Sequence, residues 1–349
     1  MSFFSVLFAL LIEQARPLAR GNWIHATFRS WARWTSRNLD AGKPQHGWIA
    51  WTVVVMLPSL VTVLIHWALW YVTPLLAFAW SVGILYVTLG FRQFSHYFTD
   101  IRDALDDGDE ASARELLADW RQVDASELPR SEIVRHVIEY SVLAAHRHVF
   151  GVLGWFSVLA ALGLGPAGAV LYRMSEFVTR YWRYKSKSMQ AGEGASPALQ
   201  LAASSAWGVI DYVPARVTSL GFAVVGSFED AIDAWRNYAQ RFSSGQPVNE
   251  PDEQKELTIE NHNDGIILAA TSGAVNVRLG GAALQSGLDP GASVGFLAAN
   301  VSTLDAATQA TPGREPEVAH LRSIVGLVWR SVVLWMVLLA LLTLAKLLG

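Results

Sequence analysis

Apolar residues run through this chain in long blocks rather than in strict alternation, and the blocks predict helices. Trp48–Trp70 carries no charged residue, with His66 its one titratable group. It exceeds the about 20 residues that a membrane-crossing helix needs. Val72–Leu89 follows, with Gly83 inside it, and Thr73 and Pro74 mark a tight turn between the two. So short a connection predicts an antiparallel hairpin with both ends on the cytoplasmic side. Val328–Leu348 is a further span, with Arg330 and Lys346 anchoring its ends. The opening MSFFSVLFALLIEQAR has neither a basic start nor a small-residue cleavage pattern. It reads as a retained short helix whose apolar run, Phe3–Ile12, is too short to span.

Two apolar blocks are interrupted. Val149–Tyr172 contains Gly163, Gly165, Pro166 and Gly168, which split it into two half-helices, re-entrant or a short hairpin. Broken helices at membrane depth need burial in protein or a polar cavity. Val209–Val217, VIDYVPARV, holds Asp211, Pro214 and Arg216. An acid and a base are costly in hydrocarbon and need partners. Five residues apart, they are expected to find them on other helices.

Between these blocks the pattern is amphipathic. Residues 91–128 put Phe94, Tyr97, Phe98, Ile101 and Leu105 on one helical face, and Gly108 separates a second helix, Glu110–Trp120. The acids Asp103, Asp106, Asp107, Asp109 and Glu110 read as a solvated turn and helix start, since no EF-hand pattern is present. Residues 131–148 form a helix capped by Ser131, with Arg135 and Glu139 four apart on one face. His146 and His148 are two apart, point different ways on a helix, and would need outside ligands to bind a metal. Phe228–Phe242 is another amphipathic helix, 243–258 a polar linker, Asn263–Gly281 a small-residue helix for close packing, and Ala282–Pro316 a long loop. The resulting division is 1–90, 91–148, 149–242, 243–324 and 325–349.

Composition agrees with a membrane protein. Of the 349 residues 52% are hydrophobic and only 16% charged, mean hydropathy is +0.27, and there are 15 Trp. The charged share is well below the roughly 25% of soluble domains. A net charge of −3 gives no footprint for nucleic acid. The absence of Cys excludes disulfides, thiolate nucleophiles and Cys–zinc sites. Residues 14–46 carry Arg16, Arg20, Arg29, Arg33, Arg37 and Lys43 against Asp40, interleaved with Trp23, Trp31 and Trp34. That mixture predicts a cytoplasmic helix lying on the inner leaflet, with packing on a soluble domain as the alternative. The fold class expected is an all-α, polytopic integral membrane protein with cytoplasmic amphipathic helices, in a bacterial inner membrane.

GPAGAVLYR at 165–173, Tyr184-Lys185, DYVPARV at 211–217 and SGAVNVRLGG at 272–281 resemble the CobD/CbiB family of bacterial inner-membrane proteins. The N-terminal helix, the 155–173 stretch and the last span look most like its AmpE-like branch. The resemblance implies the family's ligase chemistry. In it adenosylcobyric acid is joined to an aminoalcohol phosphate through an amide bond, with ATP and magnesium held by acidic residues. Glu139 matches the first Glu of the family's acidic helix motif, and Asn263 and Gly281 match its late region. Leu143, Ala144 and Arg147 stand where the second Glu, the Asn and the Asp would be. Glu176 and Thr179 replace an Asn and an Asp, and Trp207 and Gly208 replace a pair of Asp.

The leading expectation is therefore a divergent AmpE-like protein without ligase activity, linked to cell-wall signalling and β-lactamase induction. The alternative is an adenosylcobinamide-phosphate synthase. Arg135, Glu139, Tyr184, Lys185, Asp211, Arg216 and Asn263 are expected to form a polar network, structural or binding a corrinoid or other anionic ligand. No metal site and no cofactor are expected, save magnesium and ATP if the ligase alternative holds. The partners expected are the lipid bilayer and a membrane protein or a second copy.

Overall fold

The computed structural model describes residues 2–16, 23–90, 92–121, 124–188, 195–244, 252–280 and 311–348. Helices dominate them: α1 (Ser2–Ala15), α2 (Trp23–Leu39), α3 (Pro44–Val72), α4 (Pro74–Thr88), α5 (Arg92–Asp106), α6 (Glu110–Arg121) and α7 (Arg130–Ala145). One π-helical turn (His146–Phe150) joins α7 to α8 (Gly151–Ala161). Then come α9 (Ala167–Ser188), α10 (Pro197–Val225), α11 (Phe228–Ser244), α12 (Asp252–Val275) and α13 (Val318–Leu348). Four helices among the described residues are long and apolar enough to cross a membrane: 44–72, the continuous 130–161, 197–225 and 318–345. The protein is an all-α polytopic membrane protein. The 130–161 helix is 72% enclosed and forms the centre, whereas α13 is 33% enclosed and lies at the edge.

Local chemistry sets the boundaries. Thr73 leaves the helical conformation, so α3 stops there; its Oγ1 then accepts from the N–H of Leu76 and caps α4, with Pro74 in the first turn. Gly163 and Gly165 take positive φ, +80° and +59°, and turn the chain from α8 into α9. The hairpin is then drawn tight at Gly168, where a Cβ would fall 2.0 Å from the Trp155 carbonyl oxygen. Asp40, the one acid in the basic N-terminal stretch, accepts from the N–H (2.8 Å) and hydroxyl (2.6 Å) of Ser196, which caps α10. Asp109 plays the same part for α6, accepting from the N–H of Ser112 at 3.0 Å.

Two long helices carry an internal proline, and each freed carbonyl is taken by a tryptophan. Pro58 has no N–H for the Val54 carbonyl, and the Trp31 indole donates to it at 3.3 Å. Pro214 leaves the Ile210 carbonyl, and the Trp155 indole donates to that at 3.0 Å. The prolines thus join α2 to α3 and α8 to α10. Trp155→Phe is expected to cost about 1–3 kcal/mol by orphaning a carbonyl. Pro214→Ala in that background, which restores a helical N–H, should recover most of it. Thermal unfolding of the two single variants and the double variant checks this, and strictly additive losses would remove the coupling.

The C-terminal third departs from the expected pattern. A helix already starts at Asp252 inside the predicted 243–258 linker, and it ends at Val275 rather than Gly281. Asn276 (φ 51°) ends it, and residues 277–280 run extended beside 311–314. The Arg278 N–H donates to the Arg314 carbonyl and the Thr311 N–H to the Leu279 carbonyl, both at 2.7 Å. Backbone pairing at its two edges thus replaces part of the predicted 282–316 loop; residues 281–310 themselves lie outside the described residues. α13 begins ten residues before Val328 because Val318–Leu327 supplies an apolar face, with Leu321, Ile324 and Leu327 fully buried.

Candidate functional site

The interrupted stretch of α10 meets the π-helical turn. A π turn widens the helix and is frequent at functional sites. Here it turns His146 toward α10, where Nε2 lies 2.8 Å from Asp211 Oδ1 and Nδ1 lies 2.9 Å from Thr218 Oγ1. The Tyr172 hydroxyl of α9 donates to the same Asp211 oxygen at 2.7 Å. His146 and Tyr172 are 0% exposed and Asp211 1%. A carboxylate inside a spanning helix is thereby held by two donors rather than left bare. Gly151 makes room for it, since a Cβ there would lie 2.1 Å from the Tyr172 hydroxyl oxygen.

The next residue, Arg147, points to α12 and pairs with buried Asp264. Beside it Asn263 donates to the Gly208 carbonyl (3.0 Å) and accepts from Arg216 (3.1 Å). Arg216 also donates to the Tyr212 carbonyl at 2.8 Å and lies over the Tyr212 ring at 3.3 Å. Asp211 therefore takes partners on other helices, and Arg216 divides its contacts between Asn263 of α12 and Tyr212 of its own helix. Two turns earlier on α7, Arg135 donates to Glu139 (3.1 Å) and to Glu132, and Glu139 accepts the Gly280 N–H at 2.6 Å. That contact ties α7 to the extended segment after α12.

On α9, Glu176 sits between Arg173 and Arg180. Burial pushes its carboxyl up, and Arg173, Arg180, Arg147 and His146 around it more than reverse that, leaving it below the ordinary value. Against this cluster packs α2, where burial, then Arg173, then Arg29 push His25 down to about 4. At the far side, burial and then Arg216 push His262 down to about 4, and burial and then Asp264 push Tyr238 up to about 12.

The expected single network is instead a series of small groups. Arg135 and Glu139 form one. Asp211, with His146 and Tyr172, forms a second. Arg216 and Asn263 form a third, beside the Arg147–Asp264 pair. Tyr184 and Lys185 are not among them: they lie half-buried on α9, about 18 Å along the helix from Tyr172 by a rise of 1.5 Å per residue. Sequence reasoning missed His146 as a partner of Asp211 because it was weighed against His148 as a metal ligand. It missed Tyr172, Thr218 and Asp264. The signal was available: each is a polar residue in or beside an apolar run.

The positions that differ from the resembled acidic motif are now packing positions or ion pairs. Leu143 and Ala144 are buried core, Thr179 donates to the Ser175 and Ala203 carbonyls, and Trp207 packs on Tyr172 at 5.0 Å. Magnesium asks for several oxygen ligands converging in octahedral geometry. Four buried acids are dispersed, and each of these engages a base: Glu139 with Arg135, Asp211 with His146, Glu176 with Arg173 and Arg180, Asp264 with Arg147. Among the described residues no three His, Asp or Glu gather in a metal-binding group. This donor set does not fit magnesium or a magnesium–ATP complex.

A family model described as CobD/Cbib protein matches residues 6–311. The cobalamin biosynthesis protein CobD of Stutzerimonas stutzeri is 26% identical over 300 residues, covering 85% of this chain and 82% of that one. The protein of the same name from Chromobacterium violaceum is 31% identical over 215 residues, covering 61% of this chain and 59% of its own length. A third, from Leptospira interrogans, is 27% identical over 209 residues, 60% of this chain and 58% of that one. No solved structure matches.

Proposed function

Because this chain belongs to the CobD/CbiB family, we propose that it works in cobalamin biosynthesis, in a bacterial inner membrane, at the step that joins adenosylcobyric acid to an aminoalcohol phosphate. The AmpE-like signalling expectation has no support in the relatives named for cobalamin biosynthesis, and this reading replaces it. The observation that carries it is that stretches far apart in sequence, each resembling the family, meet in the core. Tyr172 of GPAGAVLYR bonds Asp211 of DYVPARV, Arg216 bonds Asn263, and Glu139 bonds Gly280 of SGAVNVRLGG.

In this reading a nucleoside triphosphate co-substrate phosphorylates the corrinoid's carboxylate. The amine nitrogen then bonds to the carboxyl carbon and gives up a proton, while the bond from that carbon to the phosphorylated oxygen breaks and the oxygen leaves with the phosphate. Both substrates are anionic. Arg147, Arg173 and Arg180 supply the guanidinium groups that attract a carboxylate or a phosphate monoester. Arg173 has the most exposed side chain of the three, 12% against 4% and 5%, and is the one an incoming anion meets first. Glu139, Asp211, Arg216 and Asn263 are positioning residues that fix the helices around the cluster. Tyr184 and Lys185 belong to the basic end of α9 near the lipid headgroups. Activation of the carboxylate is assigned to none of them, since the acids do not form a magnesium site. The basic face of α2 rests on the cytoplasmic leaflet.

Growth rescue tests the proposal. Expressed in a cell lacking its cobinamide-phosphate synthase and fed cobyric acid, the chain should restore cobalamin-dependent growth. Arg173→Gln should cut the rescue about tenfold, the loss of one charge-assisted contact, with the protein still in the membrane at the same level. No growth from folded, membrane-inserted protein would overturn the ligase reading.

A further inference from the structure

A cavity of about 670 Å³ lies at the end of the bundle marked by the α3–α4 turn and the α8–α9 turn. That volume is in the range of about 300–1,000 Å³ typical of ligand sites. Its walls come from α1, α3, α4, α8 and α13, and Phe78, Phe156, Ala160 and Leu339 give it an apolar interior. Three of the hydroxyls on its walls are spent on their own helices. Ser81 donates to the Ala77 carbonyl (2.9 Å), Ser157 to Leu153 (2.6 Å) and Thr343 to Leu339 (2.8 Å). His66 differs. Its Nδ1 is buried without a hydrogen-bond partner. Gly165 fixes the ring, since a Cβ there would lie 2.4 Å from His66 Cγ. A buried polar atom without a partner is costly and marks a place where a ligand or water completes the bond.

The surroundings say what kind of ligand. Trp67, Trp70 and Leu342, at the rim, are 52%, 50% and 65% exposed on helices long and apolar enough to span. The cavity therefore opens sideways onto hydrocarbon. The tryptophans lie next to the end of α3, at the depth where indoles meet lipid headgroups, which sets His66 level with the ester and glycerol oxygens of a lipid. We propose that this cavity binds one membrane phospholipid by an acyl chain, with the polar end of that chain hydrogen-bonded to His66. The site is separate from the arginine cluster and goes beyond the ligase reading.

Native mass spectrometry of the full chain in mild detergent, with palmitoyl-oleoyl phosphatidylethanolamine as the probe, tests the assignment. One lipid per chain should survive delipidation. Ala160→Phe and Ser157→Leu each fill the cavity from the α8 wall and should each weaken retention about tenfold, a loss of one or two buried methylenes' worth of contact. His66→Leu, which keeps the bulk and removes the nitrogen, should weaken it about threefold, the share of one modest hydrogen bond. Equal retention in both filled variants overturns the proposal. So does ready disulfide dimerisation of Ser157→Cys, the sole thiol in a Cys-free chain, because a second copy would then occupy the opening. Growth rescue unchanged in the filled variants would keep this result distinct from the fate of the ligase reading.

Discussion

Asp264→Ala is expected to destabilise the protein by about 3–5 kcal/mol, because it removes the buried carboxylate paired with the Arg147 guanidinium. Arg147 is 3% exposed and Asp264 2%, and they pair across the interface of the π turn with α12. Such a pair adds little net stability, because desolvation of both ions offsets their attraction. Removing one partner is the costly change. The double variant Arg147→Met with Asp264→Leu removes both charges and should recover most of the loss. Thermal unfolding of the two single variants and the double variant in one detergent gives the coupling directly. A loss below about 1 kcal/mol for Asp264→Ala, the scale of a surface pair, would mean that water reaches the arginine. Growth rescue by the double variant would further show that Arg147 is not required for binding.

Gly168→Ala should be the most damaging single-methyl change in the molecule's centre. The new Cβ would lie 2.0 Å from the Trp155 carbonyl oxygen and 2.4 Å from its carbon. Both belong to a helix backbone, which cannot rotate away as a side chain can. The α8–α9 hairpin would have to spread, moving Trp155 off the Ile210 carbonyl and Tyr172 off Asp211. Overpacking of this kind costs about 1–3 kcal/mol, and more where polar contacts are broken with it. Gly154→Ala on α8 is the control. Nothing lies within 4 Å of its Cβ position, so the change should be neutral or gain up to about 1 kcal/mol in helix propensity. Size-exclusion profiles and unfolding midpoints of the two variants decide the matter, and matching behaviour would show that α8 and α9 are not tightly joined.

The first and last spans and the hairpin break were legible because length and glycine placement govern them locally; the continuous 130–161 helix was not, since its first half carries charges and reads as a separate cytoplasmic helix. Asp211 and Arg216 announced themselves by their cost in an apolar run. Their partners did not, since His146 reaches Asp211 only because a π turn shifts the helical register, and no periodicity rule reports that shift. The start of α12 at Asp252 was hidden by a polar composition that looks like a linker. The extended segment after Asn276 was hidden for a different reason: its hydrogen bonds come from Thr311 and Arg314, more than thirty residues away. The resemblance pointed to Glu139 and Asn263, which the structure places in the Arg135–Glu139 and Arg216–Asn263 contacts. Glu139, Asp211, Glu176 and Asp264 each stand beside a base, an arrangement that only the folded helices bring about.

The pairing of 277–280 with 311–314 has a practical corollary. Its hydrogen bonds bring together the two ends of the intervening thirty-residue stretch, and Glu139 anchors one of those ends to α7. The pairing therefore holds residues 277–280 and 311–314 to each other and to α7. It also makes the stretch a natural place to divide the gene. Residues up to 280 and residues from 311 onward, produced as two polypeptides, would still find each other through this backbone pairing and the apolar seam of α13 against α7 and α10.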